Sequence, residues 1–152
     1  MPTDVVTVPR TIRCTALLKV DAGGKGDASN EHVELDERVY HASDDPDCFC
    51  VRIEGDLQAP ALQPGWYVVV EPNRQVALGD WAYVVWEDRS VLIGELLYVR
   101  GSKSTLLSPI GSKRTVIDSD LALDQSERPD RYAIAALLPP GRRVPHKHDT
   151  KS

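Results

Sequence analysis

Residues 55–65 read GDLQAPALQPG, and they lead directly into the apolar run WYVVV at residues 66–70. Glycine and proline within such a segment favour turns, whereas consecutive valines beside aromatic residues favour a buried β-strand. The stretch therefore predicts a tight turn that delivers the chain into a central strand.

Length, charge and hydropathy limit the classes of protein to consider. The chain has 152 residues, of which 41% are hydrophobic and 27% are charged, and its formal net charge is -5. This length suffices for one domain with its own core. The acidic balance gives no electrostatic reason to expect direct nucleic-acid binding. No apolar run is long enough to span a bilayer, and the N-terminus does not resemble a signal peptide, so we predict a cytoplasmic protein without membrane association.

The cysteines and histidines do not form a recognisable metal motif. Cys48 and Cys50 are two residues apart in a predicted strand, so their side chains are expected on the same face. Cys14 is distant in sequence, and His32 and His41 lack the spacing of zinc ligands. We therefore predict free thiols that are buried or half-buried, with no metal site and no cofactor.

Strand-forming residues and turn signals alternate along most of the chain. Strands are predicted at residues 11–20, 49–53, 66–71, 81–87, 91–98, 105–107 and 131–138, with a further strand or irregular edge at 32–40. Residues 118–125 are the best helix candidate, because no segment longer than about ten residues has convincing helical periodicity. This pattern predicts a mostly β domain of short strands and hairpins.

Composition also predicts the limits of the domain. Residues 1–10 are expected to form a flexible N-terminal arm, residues 11–142 the folded domain and residues 143–152 a disordered tail. Within the domain, residues 21–30 read DAGGKGDASN. Three glycines among small and charged residues predict a mobile loop there.

The turn at residues 55–65 resembles the active-site turn of the LexA-like self-cleaving peptidases, which include LexA, UmuD and the lambda-type phage repressors. That family has Gly-Asp-Ser-Met, then proline and leucine, then Gly-Asp and an apolar strand. The residues of the corresponding turn here are Gly55, Asp56, Leu57, Gln58 and Pro60. Two further segments agree in order and spacing, GDWAYVV at 79–85 and LLSPI at 106–110. The resemblance covers approximately residues 11–142 and implies a LexA-like peptidase fold of short twisted sheets and hairpins, partly barrel-like.

The resemblance does not extend to the catalytic dyad. In the family a serine attacks the peptide bond and a neutral lysine accepts its proton. Leu57 stands at the serine position, and alignment without gaps to the next turn puts Glu95 at the lysine position, whereas a one-residue slip puts Gly94 there. Neither alternative supplies an amine, so the resemblance implies a degenerate dyad at Leu57 and Glu95 and no catalytic residue. Because burial beside an apolar neighbour would raise its pKa, Glu95 is predicted to be partly exposed.

Family members cut their own loop after a small residue at an Ala-Gly or Cys-Gly bond. Ala22-Gly23 lies in the glycine-rich segment before Gly55, and the resemblance implies a vestigial cleavage site there. A plain linker is the alternative interpretation. Relocated nucleophiles would have to come from Ser90, Ser102 or Ser108, each of which is predicted to be a surface hydroxyl in a turn.

The last predicted strand falls where the family has a strand that commonly helps to form its dimer. The resemblance therefore implies a homodimer, with the strand residues Tyr132, Ile134, Ala136 and Leu138. It also implies an inactive peptidase-fold protein that acts by dimerisation and protein binding in transcriptional regulation of phage or SOS type. A LexA-like or phage-type repressor is the expected partner.

Three alternatives stay open from the sequence. In the first, the chain is the dimerisation or regulatory domain of a longer transcription regulator. In the second, it is an active self-cleaving peptidase with a displaced dyad. The third alternative is an unrelated β-barrel binding module, in which tryptophan and tyrosine side chains line a ligand surface.

Overall fold

The structure is a computed structural model that describes residues 9–21, 24–27, 37–55, 62–86, 88–108, 114–118 and 130–144. Within these ranges the chain is built almost entirely of β-strands. The strands are β1 Pro9–Val20, β2 Lys25–Asp27, β3 Arg38–Ala42, β4 Phe49–Gly55, β5 Tyr67–Glu71, β6 Trp81–Val85, β7 Ser90–Arg100, β8 Lys103–Leu107, β9 Arg114–Asp118 and β10 Asp130–Leu138. A 3₁₀ turn at Pro140–Arg142 follows β10.

Seven of these strands close into a barrel. Their order is β2-β1-β4-β5-β10-β6-β7, and β2 pairs with β7 to complete the ring. β1 and β4 run parallel, whereas the other neighbours in the ring run antiparallel. β8 and β9 continue the sheet beyond β7, and β3 pairs with β1 outside the ring. The predicted mostly β, partly barrel-like fold is confirmed.

Side chains alternate between the two faces of each strand, and this alternation produces three apolar clusters. The interior cluster fills the barrel and consists of Leu18, Val20, Val51, Ile53, Leu62, Val68, Val70, Tyr83, Val91, Ile93 and Ile134. The outer cluster contains Ile12, Cys14, Val39, Cys50, Tyr67, Val69 and Leu138. The third cluster contains Ala82, Val84, Leu92, Leu106 and Ile117. β5 contributes to both the interior and the outer cluster, which explains why all five of its residues are buried.

Each of the predicted strands overlaps an observed strand, but two observed strands differ from the expectation. β2 lies inside residues 21–30, where a mobile loop is predicted. It forms because β1 and β7 supply hydrogen-bonding partners on both sides, and because Gly26 lets the chain pass close to β1: a Cβ there would lie 2.7 Å from the Lys19 carbonyl oxygen. β9 is the second difference, since its last residue is also the first residue of the helix candidate at 118–125.

The described residues also refine the limits of the folded part. β1 already begins at Pro9, and after the 3₁₀ turn the Val144 amide donates a hydrogen bond to the Arg38 carbonyl at 2.8 Å. Residues 1–8 and 145–152, which hold most of the predicted arm and tail, lie outside the described residues. Across the parts of the chain that the structure describes, no helix has the length and hydropathy needed to cross a membrane.

Candidate functional site

The ends of β1 and β4 meet beside the Gly-Asp turn. Val20 pairs with Gly55 at the last step of their parallel ladder. Gly55 has a φ of 108°, and a Cβ built on it would lie 2.4 Å from the Val20 carbonyl oxygen. Both the positive φ and this close approach exclude a side chain, so the fold itself requires glycine here. The residues of the turn that follow, Asp56, Leu57, Gln58 and Pro60, lie outside the described residues, and their predicted roles stay predictions.

The hairpin between β1 and β2 approaches the same end of the barrel. The Asp21 amide donates to the Lys25 carbonyl at 2.7 Å, and the Gly24 amide donates to the Asp21 carbonyl at 3.1 Å. On its other side, the Gly24 carbonyl accepts a hydrogen bond from the Ile93 amide of β7 at 2.9 Å. Gly24 is the residue after Ala22-Gly23, and these two residues of the predicted vestigial cleavage site themselves lie outside the described residues.

Glu95 lies two residues beyond this contact on β7. Alternation puts its side chain on the same face as Ile93, which belongs to the interior cluster, whereas Gly94 faces the opposite side. Glu95 pairs with Trp81 of β6 and Leu107 of β8, and it is half-buried, which confirms the predicted partial exposure. A Cβ on Gly94 would lie 2.8 Å from the Leu107 carbonyl oxygen, so this position has no room for a side chain.

The three features that the sequence singled out therefore have neighbours at one end of the barrel. β4 leads into the Gly-Asp turn beside the end of β1, the β1–β2 hairpin contains the Ala-Gly pair, and β7 carries the carboxylate. A self-cleaving peptidase needs nucleophile, base and scissile bond to converge, and the described neighbours of these three segments are close enough for the comparison to be made.

A family model described as Peptidase S24-like matches residues 16–110. This range covers more than half of the chain and includes the Gly-Asp turn, the β1–β2 hairpin and Glu95. The chain belongs to the peptidase S24-like family. The resemblance to the LexA-like self-cleaving peptidases is thereby confirmed at the level of the family. A search of curated proteins found no match.

The lysines of this S24-like chain that the structure describes are Lys19, Lys25 and Lys103, and all three are exposed. A lysine acts as a general base only when desolvation or a neighbouring charge lowers its pKa enough for it to be neutral. An exposed ammonium lacks that desolvation. None of these three side chains therefore has the surroundings of the family's base.

The serines considered as relocated nucleophiles differ from one another. Ser90 Oγ donates to Asp88 Oδ1 at 2.5 Å, and Ser102 Oγ donates to Asp118 Oδ1 at 2.7 Å. Both hydroxyls bond to carboxylates in or beside turns. Ser108 is only 7% exposed, so its prediction as a surface hydroxyl is wrong. It follows directly on β8, which is covered on both edges by β7 and β9.

β10 carries the four residues predicted for the dimer surface. Tyr132 and Ile134 pack in the interior cluster, whereas Ala136 and Leu138 pack in the outer cluster. The ladder with β5 shifts register between Ile134 and Ala136, and such a bulge turns the following side chains to the other face. The four residues therefore do not share one face. Dimerisation itself stays a prediction.

A partly buried ionic group connects the outer cluster to the C-terminal segment. Glu37 Oε1 accepts hydrogen bonds from Arg52 Nη1 at 2.7 Å and from the Tyr67 hydroxyl at 3.2 Å, and Arg143 Nη1 lies 3.7 Å away. Burial, reinforced by the negative charge of Glu37, raises the pKa of Tyr67, so the hydroxyl stays protonated and keeps donating. We interpret this group as structural, because it joins the start of β3 to β4, β5 and the chain end.

The cysteine and tryptophan side chains are used for packing. Cys14 and Cys50 are buried, Cys48 is half-buried, and all three are free, which confirms the prediction for the thiols. Trp66 and Trp81 pack against the interior cluster, and another tryptophan, at position 86, packs against the third cluster. Within the described ranges, no group of three or more histidine, cysteine, aspartate or glutamate side chains is arranged to hold a metal ion.

Proposed function

We propose that this chain is a catalytically inactive member of the peptidase S24-like family, which acts by dimerisation and protein binding in transcriptional regulation. The observation that carries the proposal is the chemistry of β7. Glu95 takes the position on the interior face, and the backbone of Leu107 leaves no space for a side chain at Gly94. A carboxylate supplies no amine, and the leucine at the family's serine position supplies no hydroxyl.

A surface outside the barrel that carries two exposed apolar side chains supports protein binding. Tyr98 of β7, Thr105 of β8 and Val116 of β9 are paired in register across three strands. Tyr98 is 46% exposed and Val116 is 60% exposed, whereas Thr105 between them is buried. Aromatic side chains on an accessible sheet are enriched in protein interfaces, and they supply contact area at low entropic cost. We name this surface the β7–β9 face, and we propose a LexA-like or phage-type repressor as its partner.

Titration of a purified LexA-like repressor against this protein tests the binding part of the proposal. We expect saturable binding by calorimetry, and about tenfold weaker binding for Tyr98→Asp, the loss that removal of one interface anchor of about 1.4 kcal/mol produces. Leu78→Asp is the matched control, because Leu78 is 65% exposed and does not belong to the β7–β9 face. Absence of binding by the wild-type chain, or equal loss in both variants, would contradict the proposed interface.

The proposed homodimer has a specific place on β10. The ladder with β6 ends at Ala133. Beyond it, a cavity of about 200 Å³ lies between β10 and residues 79–81. Ala136 lines this cavity, and the backbone of β10 there has one ladder, to β5, in the described part of the chain. A second copy that pairs at this edge would complete its hydrogen bonding.

Light scattering at micromolar concentration checks the dimer. We expect twice the chain mass for the wild type and a single chain mass for Ala136→Asp, because a carboxylate in a paired edge would be desolvated. Val116→Asp serves as the control and should remain dimeric, since Val116 lies on the β7–β9 face. A wild-type protein with a single chain mass would refute the dimer for this family member.

A further inference from the structure

Two thiols of the outer cluster lie directly opposite each other on adjacent strands. Cys14 of β1 and Cys50 of β4 are paired in the parallel ladder, and both contribute to the same cluster, so their side chains leave the same face. Neighbouring strands lie about 4.8 Å apart. Disulfides join residues whose Cα atoms are roughly 4.4–6.8 Å apart. The backbone separation of this pair therefore suits a disulfide.

The surroundings of the pair favour closure of that bond. The two thiols interact, since the Cys14 side chain contributes to raising the pKa of the Cys50 thiol. The β1–β4 ladder shifts register directly after Cys14, before Ala16. A disulfide requires the two Cβ atoms to approach to about 3.8 Å, and an irregular ladder accommodates such a movement with less distortion than a regular one.

We propose that Cys14 and Cys50 are a modification site, at which hydrogen peroxide converts the two thiols into a reversible disulfide. Peroxide oxidises the first sulfur to a sulfenic acid and releases one water, and the second thiol then attacks that sulfur and displaces the second water. Two thiols and one peroxide thus yield one disulfide and two waters. A small thiol reductant restores the pair by thiol–disulfide exchange.

The rate of this reaction is limited by the protonation of the pair. The hydrogen bond with Cys14, together with burial, raises the pKa of the Cys50 thiol, and nearby Glu37 and Cys48 act in the same direction. Because the thiolate is the reacting form, oxidation is slow at neutral pH. The two thiols are therefore converted only under sustained exposure to peroxide. The disulfide then links β1 covalently to β4, the strand that ends at the Gly-Asp turn.

Mass mapping of the full chain tests the site. The reduced protein is freed of reductant, treated with hydrogen peroxide under native conditions, and alkylated before digestion. Trypsin releases Cys14 within residues 14–19 and both other cysteines within residues 39–52, and cleavage after Phe49 separates Cys48 from Cys50. The expected product is a Cys14–Cys50 cross-link that dithiothreitol cleaves, with Cys48 carrying the alkyl group.

Variants and a stability measurement make the test decisive. Cys48→Ala should still form the cross-link, because this residue is outside the pair, whereas Cys50→Ala should not. The wild-type protein should unfold at a higher temperature after oxidation, by several degrees, and dithiothreitol should reverse the shift. A cross-link that contains Cys48, or loss of free thiols to sulfinic acid without a cross-link, would overturn the proposal. Three free thiols after prolonged treatment would also overturn it.

Discussion

Gly55→Ala is expected to lower the free energy of unfolding by about 3–4 kcal/mol, since it combines backbone strain with a steric clash. Gly55 has a φ of 108°, which strains any residue with a Cβ. The added methyl group would also lie 2.4 Å from the Val20 carbonyl oxygen, which is well inside van der Waals contact. Relief requires β1 and β4 to separate at the point where both lead into the candidate site. Urea denaturation followed by fluorescence of the tryptophans measures the change.

Gly79→Ala separates the two causes. Gly79 has a φ of 87°, but a Cβ there would meet no heavy atom within 4 Å. This variant therefore has the strain without the clash, and we expect a loss of about 1 kcal/mol. Equal losses in the two variants would mean that β1 and β4 do not approach as closely as the Val20–Gly55 pair indicates.

Glu37→Ala is expected to destabilise the fold by about 3 kcal/mol, because it removes the less exposed of the two carboxylates that pair with the partly buried Arg52. The Glu37 side chain is 11% exposed and that of Arg52 is 27% exposed, and their shortest distance is 2.7 Å. Tyr67 loses its acceptor in the same variant. The free energy of unfolding from chemical denaturation gives the size of the loss.

Glu54→Ala is the matched control for this ion pair. Glu54 also pairs with Arg52, through Nε at 3.2 Å, but its side chain is 35% exposed. Solvent screens such a pair, so the loss should stay below about 1 kcal/mol. If Glu54→Ala lowers the free energy of unfolding as much as Glu37→Ala does, burial of Glu37 does not explain the contribution of its ion pair to stability.

The central strands of the fold could be predicted because their signals are local. β5 and β6 are runs of valine and aromatic residues bounded by turns, and such runs suit a sheet that is buried on both faces. β2 could not be predicted in this way. Its three residues become a strand only because β1 and β7 flank them, and pairing with a distant segment leaves no pattern in a glycine-rich stretch.

Two other differences have physical causes of the same kind. The bulge between Ile134 and Ala136 lies in a run of small and aliphatic residues, where nothing in the sequence marks the extra residue. β9 does carry β-branched residues, Thr115, Val116 and Ile117, and this signal was available in the sequence. Its brevity makes it hard to distinguish from a turn that precedes a helix.

The motifs of the candidate site could be predicted from the sequence, but their arrangement in space could not. The Gly-Asp turn indicated the family, and the alternation of β7 agrees with a partly exposed Glu95. The contact between Gly24 and Ile93 joins segments almost seventy residues apart, and it depends on closure of the barrel. Only the fold shows that the β1–β2 hairpin reaches β7, the strand that carries Glu95.

Mass measurement of the intact protein during incubation tests whether the chain has the peptidase fold without self-cleavage. The purified protein is held at neutral and at alkaline pH, because alkaline conditions favour a neutral lysine and so favour any displaced dyad. We expect one species of 152 residues at every time point. Two fragments that meet at Ala22-Gly23, formed at a rate independent of protein concentration, would contradict it.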